Sequence, residues 1–144
     1  TEDVALEDEI ALQRDYLAIE EVRFPERLVV EITLPDSLER ARVPGMILQP
    51  LVENSVRYAV ARSTTPVHVS IEAFARNDDL HLVVADDGPG LGESSGGGFG
   101  IGLSNVRDRL RARFGDAAKV LSGRVEEGGY RTELIMPLDI RNGR

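Results

Sequence analysis

Within PLVENSVRYA (50–59), an acid, an amide, a cation and a phenol fall close together as Glu53, Asn54, Arg57 and Tyr58. Each type has a defined use around a polyphosphate. An amide carbonyl such as that of Asn54 is a neutral oxygen ligand for Mg²⁺. A guanidinium one turn later, on Arg57, meets a phosphate on that metal. The neighbouring carboxylate, Glu53, accepts a proton or fixes a water. A solvated helix face would carry the same mixture without any chemistry. The stretch therefore gains meaning only if the chain holds a second half of the site.

Two glycine-containing motifs offer that half. Asp86-Asp87-Gly88-Pro89-Gly90 follows a strand-like run, and a plain turn explains Asp, Gly and Pro there. In the chemical reading, Asp86 accepts a hydrogen bond from the amino group of a base, and Gly88 and Gly90 let the backbone approach the ring. Gly98-Phe99-Gly100-Ile101-Gly102-Leu103 then opens an amphipathic helix. Glycines at such a start present unpaired N–H groups and the positive end of the helix dipole to phosphate. The G-x-G-x-G spacing is not a dinucleotide fingerprint, and Glu93 to Gly97 (ESSGG) reads as flexible chain.

The elements that must position these groups follow from periodicity. Residues 4–22 lack Gly and Pro and read as an acidic helix. Leu6, Ile10 and Leu17 form one apolar stripe and Leu12, Tyr16 and Ile19 another, which predicts two neighbours. LVVEITL (28–34) reads as a strand, and a helix is expected from about Pro44 to Ala61, with Pro50 inviting a kink. On that helix Leu48, Leu51, Val52, Ser55, Val56 and Ala59 share a core face, with Glu53, Asn54 and Arg57 opposite. PVHVSIEAF (66–74) and LHLVVAD (80–86) read as strands around Arg76-Asn77-Asp78-Asp79. Residues 87–102 are expected to be loop and 103–115 a helix stopped by Gly115. KVLSGRVEEGGYRTELIMPL (119–138) reads as a hairpin closed at Gly128-Gly129. This order predicts an α/β (α+β) two-layer sandwich: a mixed, mainly antiparallel sheet with helices on one face.

Composition narrows the function. With 144 residues the chain has the length of one domain, and no cysteine excludes disulfides, thiolate metal sites and Cys nucleophiles. No apolar run approaches the ~20 residues that span a bilayer. A net charge of −8 argues against nucleic acid. An acidic chain can still hold a polyanion where backbone N–H groups, a helix N-terminus or a divalent cation supply the local positive field.

Taken in order, Glu53-Asn54 with Arg57, D-D-G-P-G at 86–90, G-F-G-I-G-L at 98–103 and Gly129-Tyr130-Arg131-Thr132 resemble the ATP-binding catalytic domain of sensor histidine kinases, a Bergerat-type (GHKL) fold. VPGMILQPLVEN (43–54), preceded by DYLAIEEVRFPERL (15–28), looks most like their LytS branch. The resemblance covers nearly the whole chain. It implies that Asn54 coordinates Mg²⁺, that Arg57 contacts phosphate where many members have Lys, and that Tyr58 belongs to the nucleotide site. It implies that Asp86 holds the adenine amino group with Thr132 nearby, and that Gly88 and Gly90 shape the base pocket. Gly98, Gly100, Ile101, Gly102 and Leu103 would form the lid base and the phosphate-binding helix start, with Glu93 to Phe99 a short lid. Glu53 and Arg57 are the catalytic candidates, Glu53 either as a base or as a positioning group.

The resemblance also implies what the chain lacks. An acceptor histidine is needed, yet His68 and His81 alternate with apolar residues in strands and read as sheet residues. Thr1-Glu2-Asp3 reads as a cut within a longer chain. Residues 1–25 are then expected to connect to a missing dimerisation and phosphoacceptor region, and 26–144 to form the ATP-binding catalytic domain. The implied partners are that upstream domain and a response regulator, without nucleic acid or direct membrane contact, in a cytoplasmic setting. Alternatives are a GHKL-type serine kinase or ATPase, or a nucleotide-binding interaction module without catalysis.

Overall fold

The computed structural model describes residues 3–88 and 97–140, with backbone alone for 97–102. The elements run β1 (Asp3–Ala5), α1 (Leu6–Arg23), β2 (Leu28–Thr33), β3 (Arg42–Pro44), α2 (Gln49–Ser55), β4 (Val67–Arg76), β5 (Asp79–Asp86), α3 (Gly97–Phe114), β6 (Lys119–Arg124) and β7 (Tyr130–Pro137). Five strands form one sheet in the order β2-β4-β5-β7-β6. β2 and β4 pair in parallel and every other pair is antiparallel. The predicted mixed, mainly antiparallel sandwich is what the structure has. Short β1 and β3 form a separate antiparallel pair that the sequence pattern does not announce.

Period-two alternation turns one face of the sheet into the core. Val67, Val69, Ile71 and Ala73 of β4, Leu80, Leu82 and Val84 of β5, and Leu134 and Met136 of β7 are buried on it. Against this face pack Leu51, Val52, Val56 and Ala59 from the α2 region and Val106 and Leu110 from α3. The β4–β5 hairpin turns through Asn77 (φ 54°) and Asp78 (φ 68°), the paired positive φ values of a tight two-residue connection. Both histidines lie on the other face by alternation. His68 bonds Asp87 at 2.8 Å, while His81 bonds Glu133 at 2.5 Å and stacks on Phe74 at 4.7 Å between centroids.

Two expectations are revised. The helix predicted from Pro44 begins at Gln49, because Pro44 belongs to β3. Pro50 therefore lies in the first turn, where no intrahelical N–H is needed, so it removes no hydrogen bond from the helix. After Ser55 the helix continues as a π-helical turn over Val56–Val60, with the Ala61 N–H donating to the Val56 carbonyl. On α1 the stripe Leu6, Ile10 and Leu17 is buried, but Leu12 and Ile19 of the second stripe are 48% and 64% exposed. Of the second stripe, Tyr16 alone packs against the core among the described residues.

What joins α1 to α2 is a buried carboxylate. Glu9 is fully buried and accepts from the Met46 N–H at 2.8 Å and the Leu48 N–H at 2.9 Å. These donors precede a helix start, where backbone N–H groups lack intrahelical partners. Glu9→Ala strands both donors and is expected to lower unfolding free energy by about 3 kcal/mol. Urea denaturation of the two proteins measures this directly.

Candidate functional site

The site is organised around the end of the central strand β5. Asp86 closes it, 7% exposed, paired with Tyr130 on β7 and Val69 on β4. Its Oδ1 accepts from the Gly88 N–H at 3.1 Å, and its carboxylate also accepts from the Ser55 side chain and the Tyr130 N–H. Burial pushes the Asp86 carboxyl above its ordinary range. The three hydrogen bonds pull it back, and the charge of neighbouring Asp87 raises it further. Asp87 itself is turned away, accepting from the His68 backbone N–H at 2.7 Å.

Two glycines permit this crowding. A Cβ on Gly88 would stand 2.6 Å from the Ala59 Cβ, so the chain after Asp86 passes against the π-helical turn. Gly129 has φ +105°, and a Cβ there would lie 1.9 Å from the Asp86 carbonyl oxygen. The sequence assigns Gly128-Gly129 to a hairpin turn and Gly129 to the motif running to Thr132. Gly129 also admits the β6–β7 hairpin to the back of Asp86.

Beside Asp86 lies a small cavity of about 10 Å³, room for a single water, lined by Leu51, Asn54, Ser55, Val84, Leu103, Tyr130 and Thr132. Ser122 on β6 donates to the Tyr130 hydroxyl at 2.7 Å and lies 3.1 Å from the Thr132 hydroxyl. Asn54 departs from its predicted position. It is 6% exposed rather than on an open face, because α3 packs over that edge of α2 through Leu103. The Nδ2 of Asn54 is buried with no hydrogen-bond partner among the described residues. Leaving this buried donor unpaired costs about 1–3 kcal/mol, so a water or another acceptor oxygen that reached it would be held there. Among the described residues no group of three acidic or imidazole side chains gathers to hold a metal.

The structure brings Asn54, Asp86, Gly88, Leu103 and Thr132 to one end of the sandwich. Glu53 and Arg57 line a different pocket, on the α1 side of the same helix, with Tyr16 and Phe24. Successive helical residues diverge by about 100°, so Glu53 and Asn54 serve separate cavities. Tyr58 is half-buried, with the guanidinium carbons of Arg57 and Arg62 at 5.7 Å and 5.2 Å from its ring centre. Gly90 and the lid residues 93–96 lie outside the described residues. Gly98, Gly100, Ile101 and Gly102 are helical, because α3 starts at Gly97 rather than after the glycine run. Glycine disfavours a helix by about 1 kcal/mol per residue, but extending one already anchored by Val106 and Leu110 requires no new nucleus. Sequence reasoning does not single out Ser55 or Ser122, and it names Tyr130 only as part of the Gly129–Thr132 motif, without a role. The available signal was Ser55 itself, a hydroxyl on an otherwise apolar face.

The family described as "Histidine kinase-, DNA gyrase B-, and HSP90-like ATPase" matches residues 40–140. The chain belongs to this family, whose ligand is ATP. It is 33% identical over 137 residues to the sensor histidine kinase YesM of Bacillus subtilis, covering 93% of this chain and 24% of YesM. It is 38% identical over 117 residues to BtsS of Escherichia coli, covering 81% of this chain and 20% of BtsS. The sensor protein LytS of Bacillus anthracis is 31% identical over 144 residues, covering 92% and 24%. The chain thus spans about a quarter or less of the length of these relatives. In fold it is similar to the catalytic domain of histidine kinase ThkA, with TM-score 0.67, 16% identity and coverage of 94% and 93%. Acinetobacter baumannii histidine kinase AdeS gives 0.70 at 14% identity, covering 96% of this chain and 67% of AdeS.

Two outcomes follow. Gly129→Ala forces a side chain into the Asp86 carbonyl at a positive φ, and is expected to cost more than about 2 kcal/mol in thermal or urea unfolding. For Asp86 the sign runs from its raised pKa. The folded state holds this proton more tightly than the unfolded chain, so the group's stabilising contribution is complete below the ordinary value of 3.8. It is lost as pH rises through the raised folded value. The stability of Asp86→Asn relative to wild type should therefore improve between pH 4 and pH 7 in urea titrations across that range.

Proposed function

We propose that this chain is the catalytic ATP-binding domain of a two-component sensor histidine kinase of the LytS-like branch. It binds Mg-ATP and transfers the γ-phosphoryl group to a histidine on a segment outside residues 1–144. The observation that carries this reading is the buried acceptor at Asp86 sharing one end of the sandwich with the unpaired amide of Asn54. Asp86 suits the amino edge of adenine; the Nδ2 of Asn54 is a donor that suits an oxygen of the triphosphate, and its Oδ1 is the atom a metal would take.

In this reading Asp86 accepts a hydrogen bond from the adenine amino group while Ser55, Gly88 and the Tyr130 N–H hold its carboxylate still. Thr132, with Ser122 behind it, completes the polar edge of the base pocket, and Gly88 and Gly90 let the ring approach. Asn54 holds Mg²⁺, which neutralises charge on the phosphates when bound. The N–H groups of the α3 start at Gly98, Gly100 and Gly102, beside Ile101 and Leu103, meet the phosphates without a basic patch. Arg57 is long enough to swing toward the terminal phosphate, and Tyr58 flanks it. Phosphoryl transfer of this kind rests on positioning and charge neutralisation more than on covalent participation.

Residues 1–25 then link the domain to an upstream dimerisation and phosphoacceptor region, and a response regulator receives the phosphoryl group. The setting is cytoplasmic. No helix among the described residues is long and apolar enough to cross a membrane.

The test is to join this chain to the part of B. subtilis YesM that precedes the matched region and to supply radiolabelled ATP. Acid-labile, base-stable label on the fusion, lost in Asn54→Ala, is the expected result. Acid-stable phosphoserine would point instead to a serine kinase, and ATP binding without label to a nucleotide-binding interaction module.

A further inference from the structure

Between β3 and α2 the Gly45-Met46 segment is gripped from two sides. From α1, the buried Glu9 carboxylate takes the Met46 and Leu48 N–H groups at 2.8 Å and 2.9 Å. From α3, the Arg109 guanidinium donates to the Gly45 carbonyl at 2.7 Å and the Met46 carbonyl at 3.3 Å. Met46 sits there at φ 63°, a left-handed conformation unfavourable for a residue with a side chain. Its side chain is 49% exposed, so burial does not offset that strain. The four hydrogen bonds do.

A second tie lies one turn further along α3. Arg113, on the same helix face as Arg109, grips the Asp3 carboxylate at 2.7 Å. Asp3 opens β1, which runs directly into α1, and its carbonyl accepts from Arg42 of β3 at 2.9 Å. Val106 and Leu110 of α3 are fixed in the core. A helix carries displacement along its axis as a nearly rigid rod, and Arg109 lies about 10 Å along it from Gly102. One end of α3 is thus assigned to phosphate, while the other carries two arginines that hold the segments around α1.

We propose that Met46 is a conformational relay. Nucleotide at the start of α3 favours the held form of the Gly45-Met46 segment, and through Glu9 and Asp3 this sets how firmly α1 is seated. The proposal rests on the kinase reading above. Coupling needs an element with two forms that both sites bias, and the Met46 peptide supplies one. With Arg109 in place it is held at positive φ; with Arg109 withdrawn the strained residue relaxes and its N–H leaves Glu9. Phosphates on the first turn of α3 fix that helix, and with it Arg109 and Arg113, in the holding position. Because α1 is the helix assigned to the link with the rest of the kinase, occupancy is reported where that link begins. The coupling is reciprocal: a ligand that favours the held form by some factor binds it more tightly by the same factor.

The test is amide hydrogen exchange by NMR on the isotope-labelled chain, with and without saturating ADP. The Met46 and Leu48 amides, both donors to Glu9, should exchange at least about fivefold more slowly with ADP, the lower end of ordinary coupling. That slowing is counted beyond any at Leu82 of the central strand, which reports global stabilisation by the ligand. In Arg109→Gln the extra slowing should vanish, and ADP should bind more weakly by up to the same factor. Arg113→Gln, which breaks an exposed ion pair, is the milder variant and should shrink the slowing at Leu6 and Glu7, whose N–H groups bond Ala41 and Glu39. Exchange at Met46 and Leu48 that bound ADP leaves unchanged marks a passive staple and overturns the inference, with the nucleotide site standing. So does extra slowing that survives in Arg109→Gln. Failure of the folded wild-type chain to bind ADP overturns the nucleotide reading and the relay with it.

Discussion

A single buried carboxylate sets the terms for one end of this molecule. Asp86 is removed from water at the end of the central strand, where ionisation is disfavoured. Several of its surroundings compensate. Ser55 donates from α2, the Tyr130 N–H from β7, and the Gly88 N–H from the chain just beyond. Gly129 surrenders its Cβ so that the last hairpin can close against the Asp86 backbone. An acceptor held this way needs little reorganisation when a donor arrives, which is the physical basis of a preformed binding site.

The second organising device is the division of α2 into faces that serve different spaces. Its apolar side closes the core through Leu51, Val52 and Val56. Asn54 and Ser55 address the cavity beside Asp86, while Glu53 addresses α1. Because adjacent residues diverge by about 100°, the acid and the amide that look like one cluster in sequence work on opposite sides of a wall. The π-helical turn over Val56–Val60 widens the helix just beyond, a deviation that recurs at functional sites. Glu9 fixes the approach to this helix by holding the N–H groups of Met46 and Leu48. The geometry of both pockets therefore depends on α1 as well as α2.

Much of the fold was legible because burial is one-sided. Alternation in VHVSIEAF and LHLVVAD marks strands with a core face, and Asn77-Asp78 marks their turn. The order of motifs around Asn54, Asp86 and the glycine run was legible too, and it points to the family to which the chain belongs. What sequence could not supply was the third dimension of α2. Periodicity put Asn54 outside, since it cannot register that α3 covers that edge through Leu103. Glycine propensity put 97–102 in a loop, since it cannot register a helix extended from anchored residues downstream. The second apolar stripe of α1 predicted a neighbour that the described residues do not provide at Leu12 or Ile19.

The account rests on Asp86 accepting a hydrogen bond from the exocyclic amino group of adenine. Calorimetric titration of the chain with ADP and with inosine diphosphate, in which a carbonyl oxygen replaces that amino group, isolates this contact. The account predicts that ADP binds at least about tenfold more tightly, as expected when a buried charged acceptor loses its donor, and that Asp86→Asn removes most of the difference. Equal affinity for the two nucleotides in the wild-type chain would contradict it.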